Sequence, residues 1–313
     1  INALVQQGKK IGVASNSHKA VNNMLEAVIE DMNACDIGGM VGKVHNTNDD
    51  LLYENERVIL KKSPKDMSLN DVDVVGGTAW TFSNDSFIDQ LDYLFIDEAG
   101  QVSLANMIGM SASCKNIILI GDQMQLANPS QGMHPENSGD SCLDYLLKDS
   151  ATIAIDRGVL LPDTYRMHSQ ICKFISSRIY ENRITSIESN DSRVINHNSN
   201  SMLQKSFGIE YIPVEHIGNE QASLEEALKI KEIIQSLLVS TKIDRDGQKS
   251  DITKEDILIV TPYNHQVRLL SDTLGSSFNI GTVDKFQGRE APIVIISMAC
   301  LLYTSPSPRD KRQ

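Results

Sequence analysis

LFIDEAGQ, residues 94–101, decides how this chain folds. An apolar, strand-like run stops on two adjacent acids, Asp97 and Glu98. Carboxylates at the end of a buried strand are costly unless they have a task, such as holding a metal. Mg²⁺ carried on a nucleoside triphosphate is the usual metal at such a place. Asp97 would hold its water shell, and Glu98 would orient a water for attack on the γ-phosphate. Two acids alone also leave open a plain solvated strand end.

Outward from this stretch the same grammar repeats. KKIGVA (9–14) leads to SNSHKA, VDVVGG (72–77) to TAW, and NIILI (116–120) to GDQMQL. DILIV (256–260) leads to TPYNHQ, FNIGTV (278–283) to DKFQG, and PIVIISM (292–298) runs toward the end of the chain. Continuous apolar strands predict burial on both faces, hence a parallel sheet covered by helices. Between them, Val21, Met24, Leu25, Val28 and Ile29 form a helical stripe over 18–30. Ser223 and Glu226 have capping-box spacing before a helix carrying Leu228, Ile233, Ile234, Leu237 and Leu238. Ser169 can cap a helix with Ile171, Phe174, Ile175 and Ile179 on one side. Residues 240–251 read as a solvated loop and 185–207 as polar and irregular. The expected fold class is α/β, with two doubly wound parallel-sheet domains over about 1–150 and 151–299. Ligands of such sheets bind beyond the carboxyl ends of the strands, where the polar motifs here fall.

The bulk numbers narrow the classes. No run approaches the ~18 apolar residues of a membrane span, so no membrane partner is expected. Five cysteines with no C-x-x-C pair argue against a zinc or iron–sulfur site and against a disulfide framework; a reducing, cytoplasmic setting fits. The net charge of −12 is awkward for a nucleic-acid binder, although a local groove matters more than the sum.

Further motifs carry candidate chemistry. Asp122 and Gln125 follow the strand at 116–120, and a neutral Gln can hydrogen-bond a phosphate oxygen or the attacking water. In LPDTYRMHSQ (161–170), Arg166 has a donor fork suited to phosphate, with a surface salt bridge as the alternative. His168 reads as a helix-start hydrogen bonder rather than a base. Asp284, Gln287, Gly288 and Glu290 lie between two strands, and Gly288 permits a tight turn.

The ordered set SNSHKAV, GGTAW, DEAGQ, GDQMQL, TYRMH, TPYNHQ and TVDKFQGRE resembles a superfamily 1 helicase of the 1B branch, the group of DNA-two-like and nonsense-mediated-decay helicases. The resemblance covers nearly all of residues 1–299, and 121–147 is similar to bacterial proteins in which such a helicase follows a RecB-like nuclease. It implies two RecA-like domains of the P-loop NTPase fold, ATP and Mg²⁺ as cofactors, and 5′–3′ movement on a single strand, DNA ahead of RNA; an RNA helicase of the same branch and a non-catalytic nucleic-acid-binding relative are the alternatives. Asp97 and Glu98 match the Mg²⁺ and water-activating acids, Gln101 and Gln125 glutamines near the nucleotide, and Arg166 an arginine finger. Asp122 is placed with the nucleotide contacts. Gln287, Gly288 and Glu290 match the motif that couples ATP state to nucleic acid, with Gly288 and Glu290 on the nucleotide side and Gln287 on the nucleic-acid side. Ser15, Asn16, His18, Thr78 and Trp80 match strand contacts of the first domain, and Thr261, Pro262 and Tyr263 those of the second. Hydroxyls, amides and helix N-termini can bind phosphates without adding charge, which partly reconciles −12 with a strand track. Trp80, the only tryptophan, could stack on a base or pack in the core.

The family's phosphate loop, G-x-x-x-x-G-K-[ST], occurs nowhere in the 313 residues. The expectation is a cut just downstream of it, leaving the first domain incomplete and any nuclease domain upstream. Residues 300–313 change composition abruptly, and 300–310 are similar to the in-frame translation of a transposase-type sequencing adapter. They are expected to be an assembly scar standing where the family's last motif, with a second arginine, belongs.

Overall fold

In the computed structural model, β1 (Ile11–Ala14) is buried at every position, as a strand at the centre of a parallel sheet must be. The structure describes residues 1–45, 55–125, 135–136, 138–148, 150–197, 202–286 and 289–299. The chain divides into two units, Ile1–Ile153 and the part from Ala154 onward.

The first unit runs α1 (Asn2–Val5), β1, α2 (His18–Ala34), β2 (Val41–Val44), β3 (Val58–Lys61), β4 (Val74–Gly77), α3 (Ala79–Phe82), β5 (Leu91–Ile96), α4 (Leu104–Ser111), β6 (Cys114–Leu119) and α5 (Cys142–Leu147). The six strands form one sheet, ordered β3-β2-β4-β1-β5-β6, with every neighbouring pair parallel. One face packs Val21, Leu25 and Ile29 of α2 on Ile11, Val13, Val41 and Val74. The other packs Phe82, Phe87 and Met110 on Ala14, Val75, Leu94 and Ile96. Register matters more than burial for function. Ala14 is level with Gly77 on one side and Ile96 on the other, and Ile96 is level with Leu119. The next residues, Ser15, Thr78, Asp97 and Ile120, therefore emerge in one row at the carboxyl edge.

The second unit runs β7 (Asp163–Thr164), α6 (Ser169–Ile179), β8 (Thr185–Ser186), β9 (Val194–Asn196), α7 (Leu224–Leu237), β10 (Thr241–Ile243), β11 (Lys249–Asp251), β12 (Ile257–Val260), α8 (Asn264–Leu274), β13 (Asn279–Gly281) and β14 (Ile293–Ile296). Strands β13-β12-β14 form a parallel sheet, β11-β10-β9 an antiparallel one, and β7 pairs with β8. Ile230, Ile234 and Leu237 of α7 and Leu270 of α8 pack on Ile257, Ile259 and Ile280.

Several expectations need correcting. Residues 240–251 are not a loop but the β10–β11 hairpin. Asp244 Oδ1 accepts from the amides of Asp246 (2.9 Å) and Gln248 (2.8 Å), and Gly247 takes φ +80°. Lys242 pairs with Asp256, a largely buried ion pair that ties the hairpin to the start of β12. Part of 185–207 is ordered as β8, a 3-10 turn over Glu188–Ser192, and β9. The cap of α6 is His168, whose Nδ1 accepts from the Gln170 amide at 3.2 Å, rather than Ser169. Its buried residues are Cys172 and Ser176, while Phe174 is exposed. Ser223 caps α7, but the Glu226 carboxylate accepts from Ser297 Oγ (2.7 Å) and the Ala299 amide (3.1 Å), and Leu228 is exposed. β14 is only half-buried on one face, through Ile293 and Ile295, with Val294 and Ile296 exposed on the other. Strands β2 and β3 lie outside the expected set: VGKV and VILK each carry a lysine, which breaks or shortens the apolar run.

Candidate active site at the sheet edge

β5 delivers Asp97 and Glu98 to that edge. The Asp97 amide donates to the Ala14 carbonyl at 2.8 Å, and the Ala99 amide to Ile120 at 2.9 Å, so β5 stays laddered to both neighbours as it ends. Glu98 sits between those two bonds at φ +52°, in the left-handed region that non-glycine residues rarely occupy. Such a conformation persists only where its surroundings hold it. Here the loop after β6 does so. A Cβ on Gly100 would lie 2.3 Å from the Asp122 carbonyl oxygen, and one on Gly121 2.7 Å from the Ala99 nitrogen. Two loops that touch backbone to backbone need glycine at both contacts. From below, Cys142 donates its thiol to the Ala99 carbonyl at 3.1 Å and its amide to Val102 at 2.9 Å.

The predicted nucleotide residues gather on these loops. Gln101 Nε2 donates to Glu98 Oε2 at 3.4 Å, and its carbonyl accepts from Asn16 Nδ2 at 2.9 Å. Asp122 Oδ1 accepts from the Met124 amide at 2.9 Å, closing a turn that leads to the exposed Gln125. Burial raises the Asp97 carboxyl above its ordinary range, with the Glu98 amide opposing in part. A divalent cation would reverse that shift, so the residue fits a Mg²⁺ partner. Among the described residues no three His, Cys, Asp or Glu side chains converge as a metal cage. Mg²⁺ needs no such cage, because it takes one or two carboxylates and completes its shell with phosphates and water.

Along the same edge, Ser15 is buried and its hydroxyl has no hydrogen-bond partner among the described residues. Ser17 caps α2 by accepting from the Ala20 amide, and His18 opens that helix. Thr78 precedes α3, on which Trp80 stands 86% exposed. The choice left open for Trp80 falls on the exposed side: it is not a core residue.

In the second unit Arg166 Nε lies 3.0 Å from Glu290 Oε2, so the salt-bridge alternative for Arg166 is realised, with a partner from the other predicted motif. Thr261 follows β12 as Ser15 follows β1, fully buried and with its hydroxyl unpartnered among the described residues. Pro262 is exposed and Tyr263 stands at the start of α8, three residues beyond the strand. Gln287 and Gly288 lie outside the described residues. The sequence did not single out three supporting residues: Cys142, Arg193 and Gln266. Gln266 alone carried a signal, as the last residue of TPYNHQ.

Two family profiles, both described as AAA domain, match residues 43–128 and 140–301, and the second spans just over half of the chain. The chain belongs to the AAA-domain family. This AAA-domain chain is 25% identical over 300 residues to the DNA replication ATP-dependent helicase/nuclease DNA2 of Gallus gallus, covering 93% of itself and 28% of that protein. Identity to the protein of the same name from Homo sapiens is 23% over 332 residues, with 95% and 30% covered. Identity to a probable helicase of Dictyostelium discoideum is 28% over 251 residues, with 75% and 24% covered. The chain thus spans less than a third of each of these relatives. A solved PRRSV helicase is 14% identical with a TM-score of 0.38, covering 97% of this chain and 53% of its own, a similarity too loose to place residues. The family match and the relatives support a superfamily 1, DNA2-like helicase core with the RecA-like P-loop fold.

Proposed function

We propose that this chain is the motor core of an ATP-dependent superfamily 1B helicase that moves 5′–3′ on single-stranded DNA. The observation that carries the reading is the pair of buried hydroxyls, Ser15 Oγ and Thr261 Oγ1. Each lies one residue past a parallel strand, just before a helix start, and each lacks a partner among the described residues. A buried hydroxyl left unpaired costs about 1–3 kcal/mol, and a phosphate oxygen of a nucleic-acid backbone would relieve it. Neither contact needs a positive charge, which suits a chain of net charge −12.

Asp97 would hold Mg²⁺, Glu98 would align the attacking water, and Gln101, Asp122 and Gln125 would line the nucleotide side. Mg²⁺ supplies charge neutralisation on the ATP phosphates when bound. Arg166 answers the transferred phosphate, and the motif of Gln287, Gly288 and Glu290 relays the change to the strand. Residues 1–313 contain no G-x-x-x-x-G-K-[ST] loop, so this chain by itself is proposed to turn over ATP negligibly. A parent of the bacterial kind with a RecB-like nuclease, acting in the cytoplasm, belongs to the same proposal.

Fluorescence anisotropy with matched single-stranded DNA and RNA tests the reading. Binding of DNA by 1–313, weakened by Ser15→Ala and by Thr261→Val, supports it. Equal or tighter binding of RNA moves the reading to an RNA helicase of the same branch, because only a 2′-hydroxyl contact separates the two. Robust Mg²⁺-dependent ATP turnover by 1–313 overturns the claim of inactivity.

A further inference from the structure

The loop that carries Arg166 is held by its own carbonyls, and one short segment holds all of them. The Thr164 carbonyl accepts from Asn190 Nδ2 at 2.9 Å. Those of Tyr165 and Arg166 accept from Arg193, through Nη2 at 3.3 Å and Nη1 at 2.8 Å. The Met167 carbonyl accepts from Ser186 Oγ at 2.6 Å. Asn190 is fully buried and also donates to Ser186 Oγ at 3.0 Å, which links the donors to one another. At the next position His168 caps α6 and stacks on Phe207, with ring centroids 4.5 Å apart and planes 13° from parallel.

Beyond Thr164, which ends β7 and also accepts from the Ile187 amide, three consecutive loop carbonyls are taken by side chains, an unusual investment in a surface loop, whose carbonyls ordinarily face water. Within it, Arg193 has a part no other side chain can fill. A planar guanidinium reaches two successive carbonyls at once and so fixes the orientation of both peptide planes around Arg166. A side chain meant to meet a phosphate oxygen must be held to about 0.5 Å, and its backbone is the lever arm. Arg166 itself is long and 66% exposed, and its one ion pair, with Glu290, is exposed too, so its direction is set chiefly from its base.

We propose that Arg193 is a positioning residue that aims Arg166 at a phosphate. This rests on the phosphate role proposed for Arg166. The test uses the whole chain, with pyrophosphate as probe and the Arg166 Nε–H resonance, assigned by loss in Arg166→Lys, as reporter. Arg193→Lys keeps the charge but not the fork. It is expected to leave thermal melting unchanged while weakening the pyrophosphate response at Arg166 by roughly fivefold, the scale of one hydrogen bond. Ser186→Ala, which removes a bond to Met167 and none to Arg166, is expected to weaken it less and serves if Arg193→Lys folds poorly. A wild-type response in Arg193→Lys overturns the proposal and leaves the phosphate role of Arg166 standing. No response at Arg166 in the unmutated chain overturns both.

Discussion

Arg166 and Glu290 meet at 3.0 Å, Nε to Oε2, with side chains 66% and 65% exposed. One comes from TYRMH and the other from TVDKFQGRE, and each was predicted to serve the nucleotide. A pair this exposed is worth about 0.2–1 kcal/mol, too little to hold the unit together but enough to hold a side chain aside. Glu290→Gln is therefore expected to leave melting nearly unchanged and to tighten pyrophosphate binding at Arg166, by roughly 1.5- to 5-fold. Titration of wild type and variant in parallel decides it. Equal affinities would show that Glu290 does not compete for the arginine.

The contact of the β5 and β6 loops makes a second prediction. In Gly100→Ala the new methyl would meet the Asp122 carbonyl oxygen at 2.3 Å, a backbone atom that cannot swing away. Overpacking of this kind costs about 1–3 kcal/mol. Gly8→Ala offers a control, with nothing within 4 Å but a φ of +71°, so only backbone strain is added there. Urea midpoints of the two variants should differ, with Gly100→Ala lower.

Asp97 supplies a pH dependence. Its carboxyl pKa is raised in the folded chain, mainly by burial, so the folded state holds its proton to higher pH than the unfolded state does. Stability therefore falls as pH climbs through the carboxylate range and stays lower above it. Asp97→Asn removes that loss. The variant is expected to melt higher than wild type at neutral pH, with the gap closing as pH falls below the ordinary aspartate range. A gap of constant size from acid to neutral pH would contradict the burial argument.

Gln266 is the buried keystone of the second unit. Its Oε1 accepts from the Ser223 amide at 2.8 Å, and its Nε2 donates to the Ser223 carbonyl at 3.2 Å and to Ser297 Oγ at 2.9 Å. It thereby joins α8 to the start of α7 and to the residue following β14. Gln266→Leu fills the same space and leaves the Ser223 amide buried without its partner. A cost of about 2–3 kcal/mol is expected, read from chemical denaturation. Gln266→Glu keeps the acceptor for that amide but loses the donor to Ser297.

The strands legible in the sequence were those whose apolar runs end on a cluster of polar motif residues, such as the YLFI run that ends at Ile96 before Asp97. Their motif residues came with them, because a parallel sheet sends every strand's next residue to the same edge. What escaped was short or polar. VGKV hides a fully buried lysine, Lys43, whose ammonium finds the His18 carbonyl at 3.3 Å, a compensation no local pattern announces. Residues 240–251 are polar because their hairpin is mostly exposed, and only Asp244 and Gly247 mark the turn. The same limit applies to the site. Asp97 and Glu98 stand out by type and position, whereas Cys142 and Arg193 act through backbone carbonyls distant in sequence.

Trp80 separates nucleic-acid binding from folding most cleanly. It projects from α3 beside Thr78, 86% exposed, while its neighbours Thr81 and Phe82 are buried and anchor the turn. A tryptophan that gives so little area to the core contributes little to stability, so Trp80→Ala should unfold at the wild-type midpoint. Stacking of a base on an aromatic ring contributes about 1–3 kcal/mol, or roughly 5- to 100-fold in affinity. The same substitution should weaken single-stranded DNA binding by that factor, and binding should quench the lone tryptophan's fluorescence. If binding survives Trp80→Ala unchanged, the strand follows the buried hydroxyls of Ser15 and Thr261 without stacking on this ring.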